Sequence, residues 1–162
     1  MSLKAAMWVH GTAAQVENPN SLIPNGLVRV GAGTQFNGQS GAATWFHFAI
    51  PTPVILNDVR LSLVKIFLLY NTNQKSSTIT NVHVWDGGVR LRAFDNLMLR
   101  GDHRFGIDKD NSWEITPHIP VTFGIEIAAR VQFMDLIDGP EPGAKQFEFG
   151  FFVSTAGADF EG

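Results

Sequence analysis

Cysteine is absent from the 162 residues, so the chain can hold no disulfide, no thiolate metal site and no cysteine nucleophile. Charge is scarce too. Charged residues make up 17% and the formal net charge is −3, which supplies no long-range pull toward phosphate. The short cluster Arg90, Arg92, Arg100 and Arg104 is diluted by Asp86, Asp95 and Asp102, so neither nucleic acid nor an anionic membrane is an expected partner. No run approaches the roughly 18 apolar residues of a membrane span, and the first residues lack the apolar stretch of a signal peptide. Localisation is left unassigned by this reading. G-x-S-x-G and H-E-x-x-H are missing, and Gly31-Ala32-Gly33 has neither the third glycine nor the following helix of a dinucleotide fingerprint.

What is present is a globular composition. Hydrophobic residues reach 44%, with 16 glycines and 8 prolines as punctuation, and the length suits one domain over 1–162 with one core. Met1-Ser2-Leu3 and Glu161-Gly162 have the look of cloning remnants at its two ends. Alternating apolar and polar residues recur through most of the chain, which predicts an all-β, two-layer sandwich of jelly-roll-like form.

Particular strands follow from the pattern. Over 119–133, Ile119, Val121, Phe123, Ile125, Ile127, Ala129, Val131 and Phe133 share one face, which predicts one long strand, or two joined by a bulge at Gly124. Phe147, Phe149, Phe151 and Val153 repeat the pattern, and the 138–143 loop predicts that the two runs pair as a hairpin. The 59–70 run is apolar on both faces and reads as a central strand. Further strands are expected at 5–10, 27–30, 44–50, 79–85 and 89–94, the last two joined by a turn at Asp86-Gly87-Gly88. A helical turn is expected only around 95–100.

The functional signal lies in three pairs. Trp8 and His10, Trp45 and His47, and His83 and Trp85 are each spaced by two, so each pair projects from one face of its strand. If the flanking Met7, Val9, Phe46, Phe48, Val82 and Val84 point into the core, all six face outward. Four readings compete: cover by other parts of the chain, a subunit interface, a ligand groove in which indoles stack on a sugar or aromatic ring, and a three-histidine metal centre of His10, His47 and His83. The H-x-H pattern of cupins is absent. Asp108-Lys109-Asp110-Asn111-Ser112 offers oxygens at alternate positions, as calcium loops do, with Asp108 and Asp110 as the ligands. Trp113 and Ile119, however, stand where an EF-hand needs glycine and a closing carboxylate. Asp86, Asp95, Asp102, His103 and Glu126 are the candidate acid–base groups. On a strand the adjacent Asp102 and His103 point apart, and Glu126 and Arg130 read as members of surface ion pairs.

Trp45-Phe46-His47-Phe48, Ile50-Pro51-Thr52-Pro53, Val82-His83-Val84-Trp85-Asp86-Gly87 and Phe123-Gly124-Ile125-Glu126 together resemble a family of small bacterial β-sandwich domains of unknown function, from Trp8 to about Phe133. The resemblance implies the fold and carries no catalytic residues. The leading expectation is therefore a non-enzymatic binding domain without cofactor. It presents a tryptophan- and histidine-bearing sheet face to a small ligand, such as a glycan, or to a partner chain. One alternative is a zinc- or calcium-dependent enzyme on a cupin-like scaffold, and another is a structural subunit. Low surface charge and open sheet edges also make a homo-oligomer an expectation.

Overall fold

The computed structural model describes residues 2–73, 76–134 and 150–162. Its strands are β1 (Leu3–His10), β2 (Gln15–Val16), β3 (Leu22–Val30), β4 (Gly33–Gly38), β5 (Ala43–Ala49), β6 (Ile55–Leu56), β7 (Val59–Arg60), β8 (Ser62–Asn71), β9 (Ser77–Asp86), β10 (Val89–Phe94), β11 (Ser112–Pro120), β12 (Ile125–Phe133) and β13 (Gly150–Glu161). Two 3-10 turns, Gly11–Ala13 and Pro19–Ser21, are the helical elements among the described residues. The fold is all-β, as the alternation requires.

Two antiparallel sheets pack face to face. The first runs β11-β8-β13-β4-β3, with β1 also on β13; the second runs β10-β9-β12-β5-β2; β6 and β7 form a small ribbon. The long strand β13 changes neighbour along its length. Residues 150–153 pair with β4, and from Thr155 onward the same side pairs with β1. The core between the layers is rich in phenylalanine. Phe46 of the second sheet lies 4.5 Å from Phe36 and 5.1 Å from Phe151 of the first, ring centre to ring centre. Phe133 and Tyr70 extend the cluster, and all five rings are fully buried. Strand β8 is central in its sheet: Leu63, Ile66, Leu68 and Tyr70 enter the core, while Phe67 on its other face is covered by the indole of Trp8, stacked at 4.9 Å.

Three expectations are corrected. The 119–133 run is not one strand. It is the end of β11 in the first sheet and β12 in the second, and the chain crosses between layers at 121–124. Asp86 makes that crossing, its carboxylate accepting from the backbone N–H groups of Thr122 (2.6 Å), Phe123 and Gly124 (both 2.7 Å). Phe123, expected in the core, is 72% exposed. Nor do the 119–133 run and the C-terminal strand form a hairpin, because β12 and β13 belong to different layers. Phe147, Phe149 and the 138–143 loop lie outside the described residues. Finally, 95–100 forms no helical turn: after a bend at Asn96, Leu97 donates to the Thr80 carbonyl and Leu99 bridges Ile79, so the segment follows the sheet edge beside β9.

Candidate functional site

Strands β9, β12 and β5 are adjacent in the second sheet, and their alternation divides the side chains cleanly. Phe46, Phe48, Val82, Val84, Ile127 and Ala129 fill the core. Trp45, His47, His83, Trp85, Glu126, Ala128 and Arg130 take the opposite parity and stand on the outer face. The register sets them in rows. Ala128 of the middle strand lies opposite both His47 and His83, Glu126 lies opposite Trp85, and Arg130 lies opposite Trp45 and Asn81.

The small side chain in the central row matters. Because Ala128 leaves the middle strand low, Trp45 leans across it and meets the His83 ring at 4.6 Å between centres. Ala128 and His83 are thereby covered although they face outward. Substituting Ala128→Leu is expected to raise a side chain into this gap and part Trp45 from His83, with a loss of about 1–3 kcal/mol. Near-ultraviolet circular dichroism should report the change in the indole environment, and an unaltered spectrum would show that Trp45 does not depend on the gap.

Both imidazoles are held by carboxylates. His47 sits between two, its Nδ1 in a short contact with Glu126 Oε1 and its Nε2 3.1 Å from Glu17 Oε2. His83 Nε2 meets Asp95 Oδ1 at 2.8 Å, and the same oxygen accepts from Asn81 Nδ2 at 2.6 Å. The His83 and Asn81 bonds hold the Asp95 carboxyl below its ordinary pKa. These networks fix ring orientation, so the face presents side chains already in place. Glu17, Asn81, Asp95, Ala128 and Arg130 complete it. Period-two alternation along β12 marks Ala128 and Arg130 as partners of Glu126. No local signal marks Glu17, and Asp95, expected only as an acid–base candidate, reaches His83 through chain folding.

The other predicted residues are placed elsewhere. Trp8 and His10 belong to β1 of the first sheet; Trp8 lies over Gly157 and Phe67, and His10 Nδ1 bonds to Thr12 at the end of the strand. His10, His47 and His83 are thus divided between the two layers and do not converge as a set. The group whose potential ligand atoms all lie within 4.8 Å, among the described residues, is His103, Asp108 and Asp110. Local bonds account for this loop. Asp108 accepts from His103 Nδ1 and from the Asp110 N–H, both at 2.7 Å, while Asn111, fully buried, bonds to the Asp108 N–H and to the carbonyls of His103 and Gly106. His103 Nε2 also faces the Arg100 carbonyl at 3.0 Å. Burial works against charging the imidazole, but the bonds to Asp108 and Arg100 outweigh it and raise its pKa. Both ring nitrogens of His103 are thus engaged within the chain. Asp102 pairs with Arg104.

The residues that carried the family resemblance, 45–53, 82–87 and 123–126, are those that build the outer face and the crossing beside it. Thr52 Oγ1, for example, accepts from the Ile125 N–H at 2.9 Å. No curated protein matches the chain. The model of the Family of unknown function (DUF6623) matches residues 2–138, and the chain belongs to that family.

Proposed function

We propose that the chain is a binding domain whose ligand, a saccharide, lies on the outer face of the second sheet. The observation that supports this reading is the clustering of Trp45, His47, His83 and Trp85 on one face, with their polar partners fixed beforehand. Sugar rings present one apolar face and a rim of hydroxyls, and they suit a surface of indoles interleaved with carboxylates, amides and guanidinium groups. A protein partner is a poorer match, because the centres of protein interfaces are depleted in charged residues. This face carries Glu17, Glu126, Asp95 and Arg130 around its tryptophans. Preordered side chains also reduce the entropy lost on binding.

Affinity electrophoresis through gels containing soluble polysaccharides tests the reading. The wild-type protein should be retarded, and Trp45→Ala or Trp85→Ala should each weaken binding about tenfold or more while the far-ultraviolet spectrum is kept. Retardation that survives both substitutions would overturn the site. A mass that grows with concentration and reverts in Trp45→Ala would instead assign the face to contact between copies of this chain.

A further inference from the structure

Resting on the reading just given, the balance of donors and acceptors on the face narrows the ligand class. Its acceptors are engaged with the protein: Glu126 and Glu17 with His47, and Asp95 with His83 and Asn81. Its guanidinium groups are not similarly engaged. Arg130, in the middle of the sheet opposite Trp45, bonds through Nη1 to the Thr80 hydroxyl at 2.9 Å, and it forms no ion pair with a carboxylate among the described residues. Among the described residues, one of its five N–H donors is used. The Thr80 hydroxyl is itself anchored on the Arg130 carbonyl, so the side chain is steered from its own strand.

Two more arginines flank it. Arg90 lies against the ring of Trp85, 6.0 Å from its centre, and Arg100 bonds through Nε to Thr78 Oγ1 at 2.6 Å. Neither has a carboxylate partner within ion-pair distance among the described residues. The face therefore offers fixed cations next to its aromatic platforms and, among the described residues, guanidinium donors without a partner, while its carboxylates are hydrogen-bonded to imidazole and amide. An arginine fork is shaped for a planar or tetrahedral anion.

We infer that the ligand is an acidic saccharide, one carrying carboxylate or sulfate groups, and that Arg130 takes its anionic group while Trp45 stacks on the ring that bears it. Arg130 is then the residue that separates acidic from neutral sugars. Its removal should cost discrimination and leave the tryptophan contribution in place.

Calorimetric titration with three probes decides the matter: a hexagalacturonate, a sulfated hexasaccharide of chondroitin type, and cellohexaose. The expected result is binding to at least one acidic probe, weakened at high salt, with cellohexaose about tenfold weaker or worse. The acidic probe that binds identifies carboxylate or sulfate as the group recognised. Arg130→Gln should bring the acidic probe down to the level of cellohexaose, and Arg130→Lys should restore part of the difference. Equal binding of acidic and neutral probes, or an unchanged affinity in Arg130→Gln, overturns the acidic class while leaving the saccharide face standing. Failure of all three probes to bind overturns both.

Discussion

Gly11→Ala and Gly33→Ala are each expected to remove a large part of the folding free energy. The two glycines sit where β13 changes neighbour, between the end of β1 and the start of β4, and a Cβ built on either overlaps the carbonyl oxygen of Val153. Backbone cannot step aside by changing rotamer, so the clash must move a central strand. For Gly11 this argues for about 3 kcal/mol, the upper range of overpacking. Gly33 also has a φ of +150°, a conformation that side chains rarely adopt. Strain there adds a further 1–3 kcal/mol or so. Against a typical domain stability of roughly 5–15 kcal/mol, either variant should show a much lower urea midpoint with its slope preserved. An unfolding free energy within about 1 kcal/mol of wild type would mean that the junction can relax, and that β1 and β4 are less tightly docked than their shared contact implies.

The junction was not legible in the sequence. Gly33-Thr34-Gln35-Phe36-Asn37-Gly38 holds one large apolar residue, Phe36, between glycines and polar groups, and this is weak as a strand signal although Phe36 is fully buried. Strand β13 likewise continues past Val153 through Ala156, Gly157 and Ala158, small residues of low strand propensity, because β1 lies beside it and Trp8 covers Gly157. By contrast, Trp45 to Phe48 and Val82 to Trp85 were legible in both strand and facing. A buried apolar set alternating with large outer side chains leaves one parity. What period two cannot reveal is which strand lies beside which. That is why the six tryptophans and histidines could be expected on the outer faces of their own strands, but not assigned to a shared one.

The crossing at 121–124 shows the same limit in a sharper form. Ile119 and Val121 approach the core from the first sheet, and Ile125 and Ile127 approach it from the second. Two strands facing one core from opposite sides print the same alternation as one continuous strand, so the pattern runs through the crossing without a break. Phe123 is the residue out of place, and the group that turns the chain, Asp86, is far away in sequence.

Replacing Asp86 with asparagine should therefore loosen the layer crossing and, with it, one edge of the proposed site. The carboxylate is nearly buried, with Oδ1 accepting from Phe123 and Gly124 and Oδ2 from Thr122. An amide would turn an NH2 toward one of these donors, so at least one backbone N–H would lose its acceptor. Charge-assisted bonds of this kind suggest a loss of about 2–3 kcal/mol, or roughly 5–10 °C in Tm for a chain of this size. Burial pushes the Asp86 carboxyl up, but the three N–H donors outweigh it and leave its pKa below the ordinary 3.8. A depressed folded-state value makes the stabilisation fully present above 3.8, and it is lost as pH falls through the folded value. The difference between wild type and Asp86→Asn should accordingly be widest near neutrality and shrink under acid. Equal stabilities at neutral pH, or a gap that widens on acidification, would show that the carboxylate charge does not hold the crossing. The site should register the same change: Ile125 pairs with Asp86 and Glu126 with Trp85, so freeing the turn releases the first row of the face. Saccharide affinity should fall in Asp86→Asn even though Asp86 itself makes no contact with the ligand, because the residue acts by positioning Trp85 and Glu126.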